Sequence, residues 1–118
     1  MLSRLAAEFA AEIRGHDWSD APWRIDRAGH QRENDSKKGP EVLDERETGL
    51  VRTNVMWVTA QVLLHADPNL DVHEFAEACG VPTRIVRNSD GRPSGAILNG
   101  LRVNGDRQVA KPGTWIFE

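Results

Sequence analysis

The hydrophobic pattern of the chain is densest in its middle. Ten of the fifteen residues from Leu50 to Leu64 are apolar, and they recur at helical spacing around most of the circumference. The uncharged stretch of residues 53–66 has 14 residues, fewer than the roughly 20 that a bilayer-spanning helix needs. The pattern therefore predicts a buried central helix at about residues 50–65, on which the other elements pack.

Two further helices have clear start and stop signals. A first helix is predicted to begin after Ser3, whose hydroxyl suits the N-cap, and to end at Gly15. A second, of two turns, follows Asp71, which forms a capping box with Glu74. Gly80 is the residue type expected immediately after its last turn.

Residues 16–40 lack a sustained hydrophobic period and contain many charges and turn-forming residues. Trp18 and Trp23 are predicted to attach the first half of this segment to the core, and residues 26–40 to form a mobile loop. Pro40 suits the first turn of a helix over residues 41–47. Gly49 either separates that helix from the central one or lies within a continuous helix.

The residue pattern in the last third of the chain predicts β-structure. Glycine, proline and asparagine interrupt short apolar runs, and Asn104-Gly105 is a hairpin signal between residues 101–103 and 107–109. A final strand would carry Trp115 and Phe117 on one face. The predicted fold class is α+β in a single domain of 118 residues: N-terminal helices around the buried central helix, then a short helix and a small C-terminal antiparallel β-sheet.

Composition narrows the location of the protein. A single cysteine excludes an intramolecular disulfide framework. Glu8 and Glu12 interrupt the apolar run that an N-terminal signal peptide would need. We therefore expect a cytoplasmic protein that is not a membrane protein.

The charge is divided unevenly along the chain. The formal net charge is −3, but residues 1–80 carry −6 and residues 81–117 carry +4. Such a division predicts that the C-terminal end binds an anionic partner, while ordinary asymmetry of surface charge explains it equally well.

The segment from Val72 to Asn88 resembles the helix-turn-helix of DNA-binding domains. Ala76 takes the place of the small residue that lets the second helix approach, and Gly80 with Val81 takes the place of the turn. The remaining apolar positions of the motif are filled by Phe75, Cys79, Ile85 and Val86. Residues 101–117 are similar to the two-stranded wing of a winged helix.

This resemblance implies a regulatory protein that binds duplex DNA. It implies that the second helix faces the groove and that the wing contacts phosphate. The predicted nucleic-acid-binding face comprises Thr83, Arg84, Arg87, Arg92, Arg102, Arg107 and Lys111.

The sequence also allows two other binding functions. Residues 96–117, with LRVNG followed by a KPG turn, also resemble the end of S4-type RNA-binding domains, which implies RNA as the ligand. Alternatively, the protein is an interaction module, such as a small inhibitor or adaptor, that offers Trp18 and Trp23 to a protein partner, because tryptophans favour interface hot spots.

Catalytic and metal chemistry are not predicted. His65, Asp67, Asp71, His73 and Cys79 lie close in sequence, but without the ligand spacing of zinc sites. Residues 16–20 combine a histidine, a serine and two carboxylates, which we interpret as turn formers around Trp18. We therefore predict no enzymatic activity, no cofactor and no metal site.

Overall fold

The computed structural model describes residues 1–114. Within them, its α-helices are α1 (Arg4–Gly15), α2 (Glu45–Ala66), α3 (Val72–Ala78), α4 (Thr83–Val86) and α5 (Gly95–Asn99). Two 3₁₀ turns, Ala21–Trp23 and Arg32–Asn34, lie in the long connection between α1 and α2. Helices α1, α2 and α3 pack on one another, and α4 and α5 pack on α3 and on each other.

The centre of the core lies where α2 and α3 meet the two short helices. Its largest fully buried side chains are Phe75, Met56, Ile97, Val86 and Cys79. Trp57 on α2 packs against this core, and its indole N–H donates a 2.9 Å hydrogen bond to the carbonyl of Ile97. The core therefore depends on the C-terminal third as much as on α2.

Helix α1 has the bounds that its sequence predicts. The Ser3 hydroxyl accepts a hydrogen bond from the Ala6 N–H at 3.2 Å, so Ser3 is the N-cap. Leu5 and Phe9 are exposed to solvent. Small residues allow α1 to approach its neighbours closely, because its buried face consists of Ala6, Ala10 and Ile13.

Helix α2 is continuous through Gly49. The prediction of a helix over residues 41–47 is wrong, because Asp44 and Glu47 form a capping box and helical structure begins only at Glu45. Gly49 lies buried within α2, where an added methyl group would lie 2.8 Å from Cγ of Pro82. Gly49 therefore allows close packing and does not break the helix.

The prediction that this helix is buried all round is also wrong. Val58 is 73% exposed, and Leu50 and Val62 are exposed as well. The buried residues of α2 lie on one side, which meets α1 and α3. No helix within residues 1–114 is long and apolar enough to span a membrane.

The predicted C-terminal β-sheet is wrong, and with it the α+β, winged-helix-like fold class. Residues 1–114 contain no β-strand, only two isolated antiparallel bridges, Arg87 with Pro93 and Val103 with Val109. The predicted two-residue turn at Asn104-Gly105 is replaced by a wider turn between Val103 and Val109, in which Arg107 has a φ of 62°. Trp115 and Phe117 of the predicted last strand lie outside the described residues.

A side chain of α2 takes the place of a neighbouring strand. Gln61 is buried, and its amide nitrogen donates to the carbonyls of Arg102 at 3.1 Å and Ala110 at 3.0 Å. Its amide oxygen accepts from the Arg102 N–H at 2.8 Å. These bonds satisfy backbone groups that a sheet would otherwise pair, so the segment folds onto the helix without forming one.

Candidate functional site

The turn between α3 and α4 has the form that the sequence predicts at its start. Asp71 accepts a hydrogen bond from the Glu74 N–H at 3.1 Å, and Gly80 follows the helix with a φ of 84°. The Val81 N–H then donates to the carbonyl of Ala76 at 3.1 Å. Helix α4 begins after Pro82 and has only four residues, so it is far shorter than the recognition helix that the resemblance implies.

Two arginines from other elements lie against Gly80. A methyl group added at Gly80 would be 3.3 Å from Cγ of Arg14 and 3.5 Å from Cδ of Arg52. Neither guanidinium forms an ion pair with a carboxylate of residues 1–114, and the buried Nε of Arg52 has no hydrogen-bond acceptor there. The side-chain stems of the two arginines therefore meet at Gly80, and a cation without a counter-ion attracts an anion.

Two grooves that share Pro82 contain further arginines, together with acidic residues. One, of about 320 Å³, is lined by Arg14, Thr83 and Arg87, and Arg87 forms an ion pair with Glu77. The other, of about 440 Å³, is lined by Arg46 and Arg84 together with two acidic residues at the start of α2. We call the combined region the arginine surface, which consists of Arg14, Arg46, Arg52, Arg84 and Arg87.

The arginine surface differs from the predicted nucleic-acid-binding face. It keeps Arg84 and Arg87, with Thr83 exposed beside them, and adds Arg14, Arg46 and Arg52 from the first half of the chain. The sequence gives no local signal for these additions, because tertiary packing alone brings them to the turn.

The other predicted basic residues do not line either groove. Arg92 pairs with Asp90 at 3.7 Å on the protein surface, and Arg102 is partly buried, with its backbone bonded to Gln61. Arg107 is exposed on the turn between Val103 and Val109, and Lys111 is exposed at the start of the next turn.

The two tryptophans of the predicted interaction loop have different environments. Trp18 is partly buried, and its indole N–H donates to the carbonyl of Ile13 at 3.0 Å, so it covers the end of α1. Trp23 is 47% exposed, and the nearby Ile25 is 98% exposed. Only Trp23 is therefore accessible enough to be a main contact for a partner.

A network of charged side chains organises the segment of residues 16–43. Nε2 of His30 lies 3.1 Å from Oδ1 of Asp20, and Nδ1 lies 3.6 Å from Oδ1 of Asp26. Arg24 holds Asp26 through Nε at 2.7 Å and lies 2.6 Å from Oδ2 of Asp35. We call this network the loop cluster, which consists of Asp20, Arg24, Asp26, His30, Arg32 and Asp35.

Backbone donors hold further carboxylates of this segment in the ionised form. Burial raises the pKa of Asp17, but hydrogen bonds from Ser19 and from the Arg32 N–H outweigh it and hold that pKa below its ordinary value. The Lys37 N–H lowers the pKa of Asp35, and the charge of Arg24 adds to this effect despite desolvation. The segment therefore carries ionised carboxylates at neutral pH.

Three of the residues considered for metal binding, Asp71, His73 and Cys79, have structural roles. Burial raises the pKa of Cys79 to about 12, which leaves its thiol protonated at neutral pH. His73 lies 2.7 Å from the carbonyl of Ser94, and Asp71 caps α3. Within residues 1–114, the ligand-type side chains that do converge are Asp20, Asp26 and His30.

No family model, curated protein or solved structure matches this chain. The resemblance to helix-turn-helix domains therefore stays a prediction. Any assignment of function has to start from the arginine surface and the loop cluster themselves.

Proposed function

We propose that this protein binds nucleic acid, with duplex DNA as the preferred form, through the arginine surface. One observation carries the proposal: Arg14 and Arg52 both lie against Gly80 without a carboxylate partner in residues 1–114. Guanidinium groups bind phosphate oxygens with paired hydrogen bonds. A phosphate bound here would supply the anion that this site lacks.

The proposed contacts are mainly to phosphate and not to base edges. Helix α4 has a single turn, which is too short to present several side chains along a major groove. Thr83 and Arg84 are exposed at its start and extend the surface beyond Gly80. Binding of this kind is sequence-independent and weakens steeply with salt.

The overall charge of the protein does not favour phosphate binding. The formal net charge is −3, so attraction of phosphate has to come from local groups such as the arginine surface. We also infer a cytoplasmic location, where nucleic acid is accessible and a free thiol such as that of Cys79 stays reduced.

Fluorescence anisotropy with labelled random duplex DNA, titrated at two salt concentrations, tests the proposal. The double variant Arg14→Gln/Arg84→Gln removes two exposed guanidiniums of the arginine surface. We expect weaker binding and a shallower dependence of log affinity on log salt, with a slope smaller by about 0.9 for each phosphate that the variant no longer neutralises.

The matched control is Arg107→Gln/Lys111→Gln, which removes the same charge from residues that line neither groove. The control should bind DNA almost as the parent protein does. If the control loses affinity and the first variant does not, the interface is the C-terminal face and not the arginine surface. Absence of binding by the parent protein at low salt would refute nucleic-acid binding, and single-stranded RNA in place of the duplex tests the ligand preference.

A second candidate function is protein binding through the loop that carries Trp23 and Ile25. The observation that favours it is the exposure of both side chains on a segment held by the loop cluster, because a rigid loop loses little entropy on binding. Quantitative affinity capture with Trp23→Ala/Ile25→Ser, compared with the exposed control Val58→Ser, tests this function. A protein captured by the control but not by the loop variant would support it, and identical capture by both would reject it.

A further inference from the structure

Three groups of the loop cluster have the chemistry of a metal site. Asp20, Asp26 and His30 each offer one ligand atom, and these atoms lie within 4.8 Å of one another. Their side chains are mostly buried. Two carboxylate oxygens and one imidazole nitrogen form a ligand set that suits Zn²⁺ and neighbouring transition metals better than Ca²⁺ or Mg²⁺, which prefer oxygen alone.

Asp20 provides independent support for a cation site. The residue is only 2% exposed, and its Oδ2 is buried without a hydrogen-bond partner. The nearest guanidinium atom, Nε of Arg32, lies 3.7 Å away, which is too far for a hydrogen bond. A buried carboxylate oxygen without a donor is costly, and a metal ion would remove that cost.

The charge of the loop cluster is compatible with a bound cation. Asp20, Asp26 and Asp35 supply three carboxylates, whereas Arg24 and Arg32 supply two guanidiniums. With His30 neutral, as a metal-bound imidazole must be, the formal charge of these groups is −1.

We propose that Asp20, Asp26 and His30 bind a divalent transition-metal cation, for which Zn²⁺ is the probe. Ligand atoms around a tetrahedral zinc ion lie roughly 3.4 Å apart, given bonds of about 2.0–2.1 Å. Asp20 and His30 are already about this far apart, at 3.1 Å, so binding requires only small shifts of the three side chains. Arg24 already holds Asp26 at 2.7 Å and acts as an outer partner that orients this ligand.

This site is separate from the arginine surface and does not depend on the proposed nucleic-acid binding. Its ligands all lie between α1 and α2, in the segment of residues 16–43. The ion would connect one 3₁₀ turn and two loop positions in a segment that contributes none of the buried apolar residues of the core. It would fix the loop that carries Trp23 and Ile25.

Calorimetric titration of the chelator-treated protein with Zn²⁺ tests the proposal. We expect one ion per chain and a rise in the thermal midpoint on binding. Asp20→Asn and His30→Gln should each weaken the affinity by at least about tenfold, the effect typical of losing a group at a metal site. Co²⁺ in place of Zn²⁺ should give visible absorption bands that report the same ligands.

The matched control is His65→Gln/Asp67→Asn, which removes a histidine and an aspartate exposed at the end of α2. This control should bind Zn²⁺ as tightly as the parent protein. Failure of the parent protein to bind Zn²⁺, Co²⁺ or Mn²⁺ at submillimolar concentration would overturn the proposal. Binding that survives both loop variants, or that the control abolishes, would overturn it as well, and circular dichroism shows whether each variant keeps its helices.

Discussion

Phe75 and Asp20 are almost equally inaccessible to solvent, but different interactions bury them. Phe75 is 0% exposed and is surrounded by the apolar side chains of the helical core. Asp20 is 2% exposed and lies beside His30 and Arg32 in a loop whose large apolar residues mostly face outward. The first environment consists of apolar groups, whereas the second consists of charged and polar groups.

This difference explains why the two candidate sites lie where they do. Burial of apolar area stabilises the helices in proportion to the area removed from water. Buried ion pairs contribute less, because desolvation of the charges offsets most of their attraction. The helical region is therefore a suitable support for the arginine surface, and the loop cluster is a suitable place for a ligand that completes an unbalanced set of charges.

The largest effect is expected from Phe75→Ala in the helical core. Deleting a fully buried phenyl ring removes its burial and leaves a cavity, so the free energy of unfolding should fall by about 3–5 kcal/mol. Urea denaturation monitored by circular dichroism measures this loss. A loss below about 1 kcal/mol would mean that the helices do not depend on this core.

The next effect is expected from Gln61→Leu, which separates the C-terminal segment from α2. The substitution removes three hydrogen bonds to the backbone of Arg102 and Ala110, so the free energy of unfolding should fall by about 2–3 kcal/mol. Hydrogen exchange should become faster at residues 101–110. Asn54→Leu, at an exposed position of the same helix, is the control and should leave that exchange unchanged.

Acid should loosen the loop before it affects the helices. The pKa values of Asp17 and Asp35 are lower in the folded protein than their ordinary value of 3.8, so both stabilise the folded loop above that pH. This contribution decreases as the pH falls below 3.8 and is lost as the pH passes through the lowered values. Hydrogen exchange of residues 16–43 at decreasing pH measures the effect, and Asp17→Asn/Asp35→Asn should abolish its pH dependence in that range.

The smallest effect is expected from Val58→Ser on the outer side of α2. Val58 is 73% exposed, so the free energy of unfolding should change by no more than about 0.5 kcal/mol. Met56→Ala, two positions earlier on the buried side, should cost about 2–5 kcal/mol. Equal losses of unfolding free energy in urea denaturation would mean that Val58 is not exposed in solution.

Helix ends were the most predictable part of the fold. Ser3 and Asp71 cap α1 and α3 as the sequence predicts, because a capping side chain bonds to backbone groups only two or three residues away. Pro40 suits the first turn of a helix, but no helix starts there. Asp44 is the better N-cap, since it forms a reciprocal capping box with Glu47.

The candidate sites were far less predictable. A local motif predicts Thr83, Arg84 and Arg87, but Arg14 and Arg52 reach Gly80 only through the packing of α1 and α2. Nor did any recognised spacing link Asp20, Asp26 and His30, because this segment has no regular period that would place them on one face. Their convergence follows from the path of the loop.

The sequence by itself determined where α1 and α3 begin, because a capping side chain acts within a few residues. The tertiary structure decided which side of α2 is buried and whether the C-terminal segment pairs as strands. In the second case a single side chain, Gln61, satisfies backbone groups more than 40 residues away and makes a sheet unnecessary. The tertiary structure also decided where both candidate sites lie, since charges that are distant in sequence interact only when the chain brings them within a few ångströms.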